Sequence, residues 1–514
     1  MRNCVRSWAR EAGTGFITTH RKLARRVLPK QCYRGKQSCM TDRASKILPL
    51  LIVMSCCAAG AYLAVFRPGY ANNSEYLGGL IFLQIVIAAL WSYRQRFFPA
   101  LQIVFLWAAT FSPFVSAATV GRWFVLAAGA LVGLVVYMKD RSQRFGAFHL
   151  LACCCVVAAF ISAMVSSHPA LAALKALSIF LLFLYGAAGV RLAVAGRETQ
   201  FLRGLLLGCE ILVYINVALH FILRVSLFNN PNSLGALTGV ALAPLLAWGV
   251  VTSNEITTRR RRSFAFILAI LLLFFSFARA AIVGALLSCI LLCIVLRQYR
   301  LLVKGLAIAL AAAALIAAVA PPQASEDDSL ADVFIYKGKR QAGLLGSRQT
   351  PWQQTVAVIQ EHPWFGSGFG TSKTAVDEVV ETRGFASNSK FTREHGSSYL
   401  AILEWQGLLG VAPFLALVLA VALNAGEVVL WVRRTGDASS AALPIALVVI
   451  AGLVHAAFED WLFAVGYYLC VFFWSLAFAL NDFVSHRVPA QTLAWISPAS
   501  QQWPSRMEIA ATAR

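Results

Sequence analysis

Residues 263–278 read SFAFILAILLLFFSFA, a stretch without a single charge. Runs of this kind recur along the chain, and they constrain the fold more than any other feature. Inside a bilayer every backbone N–H and C=O must be satisfied internally, so a spanning chain forms helices or a closed barrel. The alternating ten-residue segments of a barrel are absent. The expected fold is therefore an all-α polytopic membrane protein of about 12–14 transmembrane helices. Composition agrees, with 59% hydrophobic and 13% charged residues, against roughly 25% charged in soluble domains.

Apolar windows place span starts near residues 47, 76, 99, 123, 146, 170, 202, 233, 263, 280, 301, 397, 442 and 462. With a cytoplasmic N-terminus, the short inside connections carry seventeen Lys or Arg residues and the short outside ones four: Arg67, Arg122, Arg224 and Arg279. This asymmetry supports the threading and gives the net charge of +22 a membrane explanation rather than a nucleic-acid one. The first 47 residues hold twelve Lys or Arg against Glu11 and Asp42. The apolar run that follows, Ile47 to Phe66, is long for a cleavable signal and right for a span. The expected order is a basic cytoplasmic tail (1–46), eleven helices (47–320), an extracytoplasmic loop domain containing short helices (321–396), three helices (397–482) and a cytoplasmic tail (483–514). The twelve cysteines fall in the first 40 residues or inside apolar runs, which implies neither a disulfide framework nor a metal site.

Pro321 to Glu394 is the one long connection, with eight basic and nine acidic residues. Connections of this length are functional or disordered, and its closely spaced Trp, Phe and Gly favour order. Thr350 and Pro351 read as the start of a helix carrying Trp352, Val356 and Ile359 on one face. Arg348 then stands just ahead of free backbone N–H groups, either as a phosphate site or as a solvated loop arginine. Gly366 to Thr374, GSGFGTSKT, imitates a phosphate-binding P-loop, but Ser372 interrupts the Gly-Lys pair. The glycines more naturally serve a tight turn against the bilayer surface.

Other candidates are ionisable or amide side chains at the outer rim. Arg279 stands between two apolar runs, where a charge either faces a wet cavity or snorkels. His395 marks the return of the loop to the membrane, as a general base with an ordinary pKa near 6.5 or as a cap. Glu404 lies nine residues on; a regular helix would put it half a turn out of phase and ~13 Å away. On that arithmetic the two do not touch. Asn229, Asn230 and Asn232 around Pro231 either bind sugar hydroxyls or cap a helix. His455, Glu459 and Asp460 read as a solvated interface. Lys175 and Glu210 are intramembrane charges without an evident partner.

Taken in order, these elements resemble the bacterial O-antigen ligase and polymerase superfamily. The resemblance rests on Pro231-Asn232, Arg279-Ala280-Ala281, the long loop with Arg348 and Trp352, His362 to Gly370 (HPWFGSGFG), and His395 followed by Gly396 and SSYLAILEWQGLLG. It covers roughly residues 228 to 425. It implies glycosyl transfer from a polyprenyl-diphosphate-linked glycan to a glycan or lipid A-core acceptor, at the outer face of the bacterial inner membrane. Both termini would be cytoplasmic, and no cofactor or metal would take part. By the same resemblance, Arg279 and Arg348 hold the diphosphate and His395 takes the acceptor proton. Asn232, Trp352, Ser397, Glu404, Lys175 and Glu459 are the accompanying substrate-binding candidates. Gly396 departs from the pattern, since many members carry Asn or Ser there. The partners are these glycans and membrane lipids, with no nucleic acid. Ligase and polymerase are not separated by the sequence. The alternative, a transporter or flippase of lipid-linked sugars, would be expected to show repeat symmetry and midplane charges.

Overall fold

The computed structural model describes residues 126, 127, 129, 130, 134, 146–194, 198–222, 231–307, 346–371 and 394–487. By contacts the chain divides into Met1–Ser92 and Tyr93–Arg514, and every described residue belongs to the second unit. The tails, the spans expected near 47, 76 and 99, Asn229, Asn230 and Ser372 to Thr374 lie outside the described residues, as do most of those near 123 and 301.

The described residues are all-α. In order they form α1 (Ala147–Met164), α2 (Pro169–Val190), α3 (Glu198–Ile222), α4 (Asn232–Thr252), α5 (Ile256–Phe275), α6 (Arg279–Val295), α7 (Gly346–Glu361), α8 (Ser398–Thr435), α9 (Ala442–Ala456) and α10 (Tyr468–Arg487). Among them α1, α2, α3, α4 and α8 are long and apolar enough to cross a bilayer, and α6, α9 and most of α10 are shorter apolar helices. The protein is thus a multi-pass membrane protein. α2, α3 and α4 each widen into a π-helical turn, at Tyr185–Val190, Ala218–Ile222 and Leu237–Leu242.

α4 is the innermost of these spans, with 89% of its apolar window buried, against 28–44% for the other four. α9 and the first part of α10 are buried almost throughout, while Leu150, Ile267, Leu286, Leu419 and Leu423 are exposed as lipid-facing residues should be. Small residues bring α6 close to its neighbours. A Cβ on Gly235 would fall 2.1 Å from Ala278 Cβ, one on Gly239 2.5 Å from the Ala281 carbonyl oxygen, and one on Gly284 3.1 Å from that of Ala451. Close backbone approach of this kind is how membrane helices gain packing without a hydrophobic driving force.

These contacts also fix the ends. The starts of α4 and α6 lie together beside the end of α9. The opposite end holds Arg191, Arg203, the run Arg259–Arg262 at the start of α5, Arg433 and Arg434. There Glu210 meets Arg261 at 2.6 Å and Arg262 at 3.4 Å, and Arg191 pairs with Asp482 through two hydrogen bonds. Glu210 is therefore paired at the arginine-rich end.

Two expected boundaries move. α7 is already helical at Gly346, ahead of Thr350, so Arg348 and Pro351 both lie inside the helix. The last span starts at Tyr468 rather than near 462, because 457–467 fold into a compact turn. Trp461 donates to His455 Nδ1 at 2.8 Å, and the Leu462 carbonyl accepts from Trp474 Nε1 at 2.7 Å, which ties the turn down before α10 begins.

Candidate active site at the loop re-entry

His395 precedes α8, and the residue after it reverses the chain. Gly396 has φ +68°, and a Cβ there would lie 3.2 Å from Trp352 Nε1 and 3.3 Å from Arg348 Cδ. Trp352 Nε1 donates to the Gly396 carbonyl at 3.1 Å and holds the turn from above. Ser397 then takes the N-cap position in extended conformation, buried, with its carbonyl accepting the Ala401 N–H at 2.9 Å.

The reversal lays the His395 ring back over its own helix. Nε2 lies 3.3 Å from Glu404 Oε1, so the two do touch. His395 lies outside the helix, whose N-cap is Ser397, so helical phase does not separate it from Glu404. On the other side, Asp460 Oδ2 accepts the His395 backbone N–H at 2.9 Å and lies 3.1 Å from Nδ1. The ring stands edge-on to Trp405, with centroids 5.3 Å apart. His395 and Glu404 are 1% and 0% exposed and the Asp460 side chain 27%, so only the aspartate presents an edge to the outside.

Burial alone would lower the His395 pKa, but the hydrogen bonds and charges of Asp460 and Glu404 outweigh it and raise it. Burial would raise that of Asp460, and the bond and charge of His395 carry it downward instead. An acid at each ring nitrogen favours the protonated ring over the neutral one. His395 is therefore not a base poised at its ordinary value.

Arg348 donates from one guanidinium nitrogen to Glu394 and from the other to Glu459. Glu459 also accepts from Asn232 Nδ2 at 3.5 Å. Ser398 Oγ donates to the Glu459 carbonyl at 2.6 Å and accepts from the Leu462 N–H at 3.0 Å, joining the start of α8 to the 459–462 turn. Tyr468 donates to the Ser233 carbonyl at 2.5 Å. His455, Glu459 and Asp460 are thus not a solvated interface. His455 is buried, and the two acids bind Arg348 and His395.

The structure brings Asn232, Arg348, Trp352, His395, Glu404 and Glu459 into one network of contacts. It adds Asp460, which the sequence reading placed in solvent. Arg279, half-exposed at the first turn of α6, lies at the same end of the bundle through the Gly235–Ala278 contact. Ser397 is adjacent as the cap. Lys175 stands apart and donates to the Gly370 carbonyl.

That carbonyl belongs to the glycine-rich stretch, which is buried from Gly366 to Thr371 and packs into α1, α2 and α8 rather than lying on the bilayer surface. Thr371 Oγ1 lies 2.8 Å from Ser166 Oγ. The Ser367 and Thr371 N–H groups are taken by the Glu404 and Gly368 carbonyls, at 2.9 and 3.1 Å. A phosphate cradle needs such groups free, so the P-loop likeness does not extend to the structure. The stretch instead enters a break in α8 at Gly407, where φ is +63° and ψ −175°.

Among the described residues no group of three or more His, Cys, Asp or Glu could hold a metal ion. No curated relative matches the chain. A family model described as O-antigen ligase matches residues 264–415, a stretch that holds Arg279, Arg348, Trp352, His395 and Glu404 and ends before the Glu459–Asp460 turn. Over that part this multi-pass membrane protein is similar to the O-antigen ligase family.

Proposed function

We propose that the protein transfers a glycan from a polyprenyl-diphosphate donor to a sugar hydroxyl at the outer face of the bacterial inner membrane. The observation that carries this reading is the joining of Arg348, Asp460, His395 and Glu404 in one network at the end of the bundle opposite the arginine-rich one. The arginine-rich end then faces the cytoplasm, and the network faces outward.

Arg348 and Arg279 hold the diphosphate, with Glu394 and Glu459 giving up Arg348 as the donor arrives. As the C1–O bond to phosphate breaks, the electron pair stays on the leaving diphosphate. Fixed guanidiniums stabilise that charge more in the transition state than before it. As the new C1–O bond forms, the acceptor hydroxyl loses its proton at the exposed edge of Asp460. Asp460 passes it to Nδ1 of a neutral His395, and Glu404 at Nε2 stabilises the imidazolium that results. The acceptor is a growing glycan or a lipid A-core sugar.

The transporter alternative gains little support, since the acids and the arginine of this network gather at one end. The test is surface polysaccharide in cells carrying Arg348→Ala or His395→Ala at normal membrane levels. Loss of polymer is expected. Accumulated lipid-linked polymer marks a ligase and accumulated single repeat units a polymerase. Unchanged polymer in both variants removes the reading.

A further inference from the structure

α8 is interrupted, and the interruption is filled by the loop. At Gly407 the helix stops following its own ladder. The N–H groups it releases find partners on the glycine-rich stretch: Leu408 donates to the Pro363 carbonyl at 2.7 Å and Leu409 to that of Trp364 at 3.1 Å. On the near side of the break Ser367 N–H donates to the Glu404 carbonyl at 2.9 Å, and Ser162 Oγ to that of Trp405 at 2.5 Å. The backbones touch: a Cβ on Gly407 would lie 2.5 Å from Trp364 C, and one on Gly366 2.4 Å from Trp405 C.

We infer that the docked segment Pro363–Ser367 is a positioning element for Glu404 and, through Glu404, for His395. The piece of α8 before the break, Ser398–Gln406, is shorter than the ~12–15 residues a helix needs to hold by itself. Its side chains do not anchor it fully either. Trp405 Nε1 and both amide atoms of Gln406 are buried without a hydrogen-bond partner among the described residues. The loop backbone fixes the peptide of Glu404, and its side chain reaches His395 at 3.3 Å. The segment follows directly from α7, through bonds from His362 N–H to the Val358 carbonyl at 3.0 Å and from Gly366 N–H to that of His362 at 3.2 Å. The helix that carries Arg348 thus also carries the support for Glu404. The consequence for transfer rests on the function proposed above; the positioning itself does not.

His395 is faced by Glu404 from α8 and by Asp460 from the turn after α9. Arg348 of α7 lies beside Gly396 with Glu394 and Glu459 on it. The test follows the His395 ring by 15N-histidine NMR in the detergent-solubilised full chain, assigned through His395→Asn. Glu404→Gln is the reference and lowers the titration midpoint. Gly407→Ala is expected to lower it comparably, because a Cβ there undocks the loop. Ser367→Ala, which removes from the docked segment the hydroxyl that reaches the Thr371 and Glu404 carbonyls at 3.1 and 3.5 Å, lowers it less. If Gly407→Ala does not fold, Ser367→Ala decides. A midpoint unmoved in the folded variants overturns the inference, and so does one unmoved in Glu404→Gln. A merely structural role would change the yield of folded protein but not the midpoint. Should His395→Ala leave polysaccharide intact, the transfer reading fails while the titration result stands.

Discussion

Gly396→Ala is a small change at a position that leaves little room for one. The backbone there is left-handed, at φ +68°, which costs an ordinary L-residue about 1–2 kcal/mol relative to glycine. The added methyl meets Trp352 Nε1 at 3.2 Å and Arg348 Cδ at 3.3 Å, so both must yield by a few tenths of an ångström. A cost of about 1–2 kcal/mol corresponds to a factor of roughly 5–30 in the population of the correct turn. Transfer activity per folded molecule should fall by that factor, measured with lipid-linked donor in detergent. Asn is the side chain that adopts this conformation most readily after glycine, so Gly396→Asn should retain more activity than Gly396→Ala, and Gly396→Val the least. Full activity in Gly396→Ala, or Asn ranking below Val, would refute the claim that a left-handed turn places His395.

Activity should rise with pH through a limb set by His395 and lying above its ordinary value of 6.5, because the acids raise it. Glu404→Gln should move that limb downward in a kcat/KM profile, and a stationary limb contradicts the relay. The stability linked to the same contact has the opposite sign: it is complete below about 6.5 and is lost as pH rises through the raised pKa, so the midpoint of thermal unfolding should decline there. Arg348→Lys should lose at least about tenfold in kcat/KM, since a point charge does not reproduce a guanidinium fork; equal activity would argue against diphosphate contact. Gln406→Leu replaces a buried, unpartnered amide by an apolar side chain, and should raise thermal stability by about 1 kcal/mol or more. A clear loss of stability would mean the amide is paired in solution.

Much of this architecture is written locally. Charge-free runs mark the starts of α1, α2, α3, α4, α8 and α9 to within a few residues, because an apolar run bounded by polar residues has few ways to end. Arg348, Trp352 and His395 stand out because polar side chains near a membrane require a reason. What was not legible depends on backbone reversals. Glu404 looked remote from His395 only if the helix already included His395, and Gly396 directly after it was the available sign that it did not. Asp460 looked solvated because it follows a helix end; its engagement depends on the 457–467 turn folding back onto α8. The break at Gly407 leaves no local trace, since EWQGLLG reads as continuous helix. Only the approach of residues 363–367, some forty positions earlier in the chain, makes a break there favourable.

The glycine and alanine contacts along α6 carry a mechanical consequence. Where Gly239 and Gly284 meet the carbonyls of Ala281 and Ala451, main chain rests on main chain, and Gly235 meets the short methyl of Ala278. α4, α6 and α9 are keyed together on that flank, so Arg279 keeps its height relative to Asn232. Among the described residues, the flank of α6 that bears the exposed Val283, Leu286 and Ile290 has no such key. A lipid tail threading toward Arg279 on that flank would come past those aliphatic side chains, where the helix has room to give way.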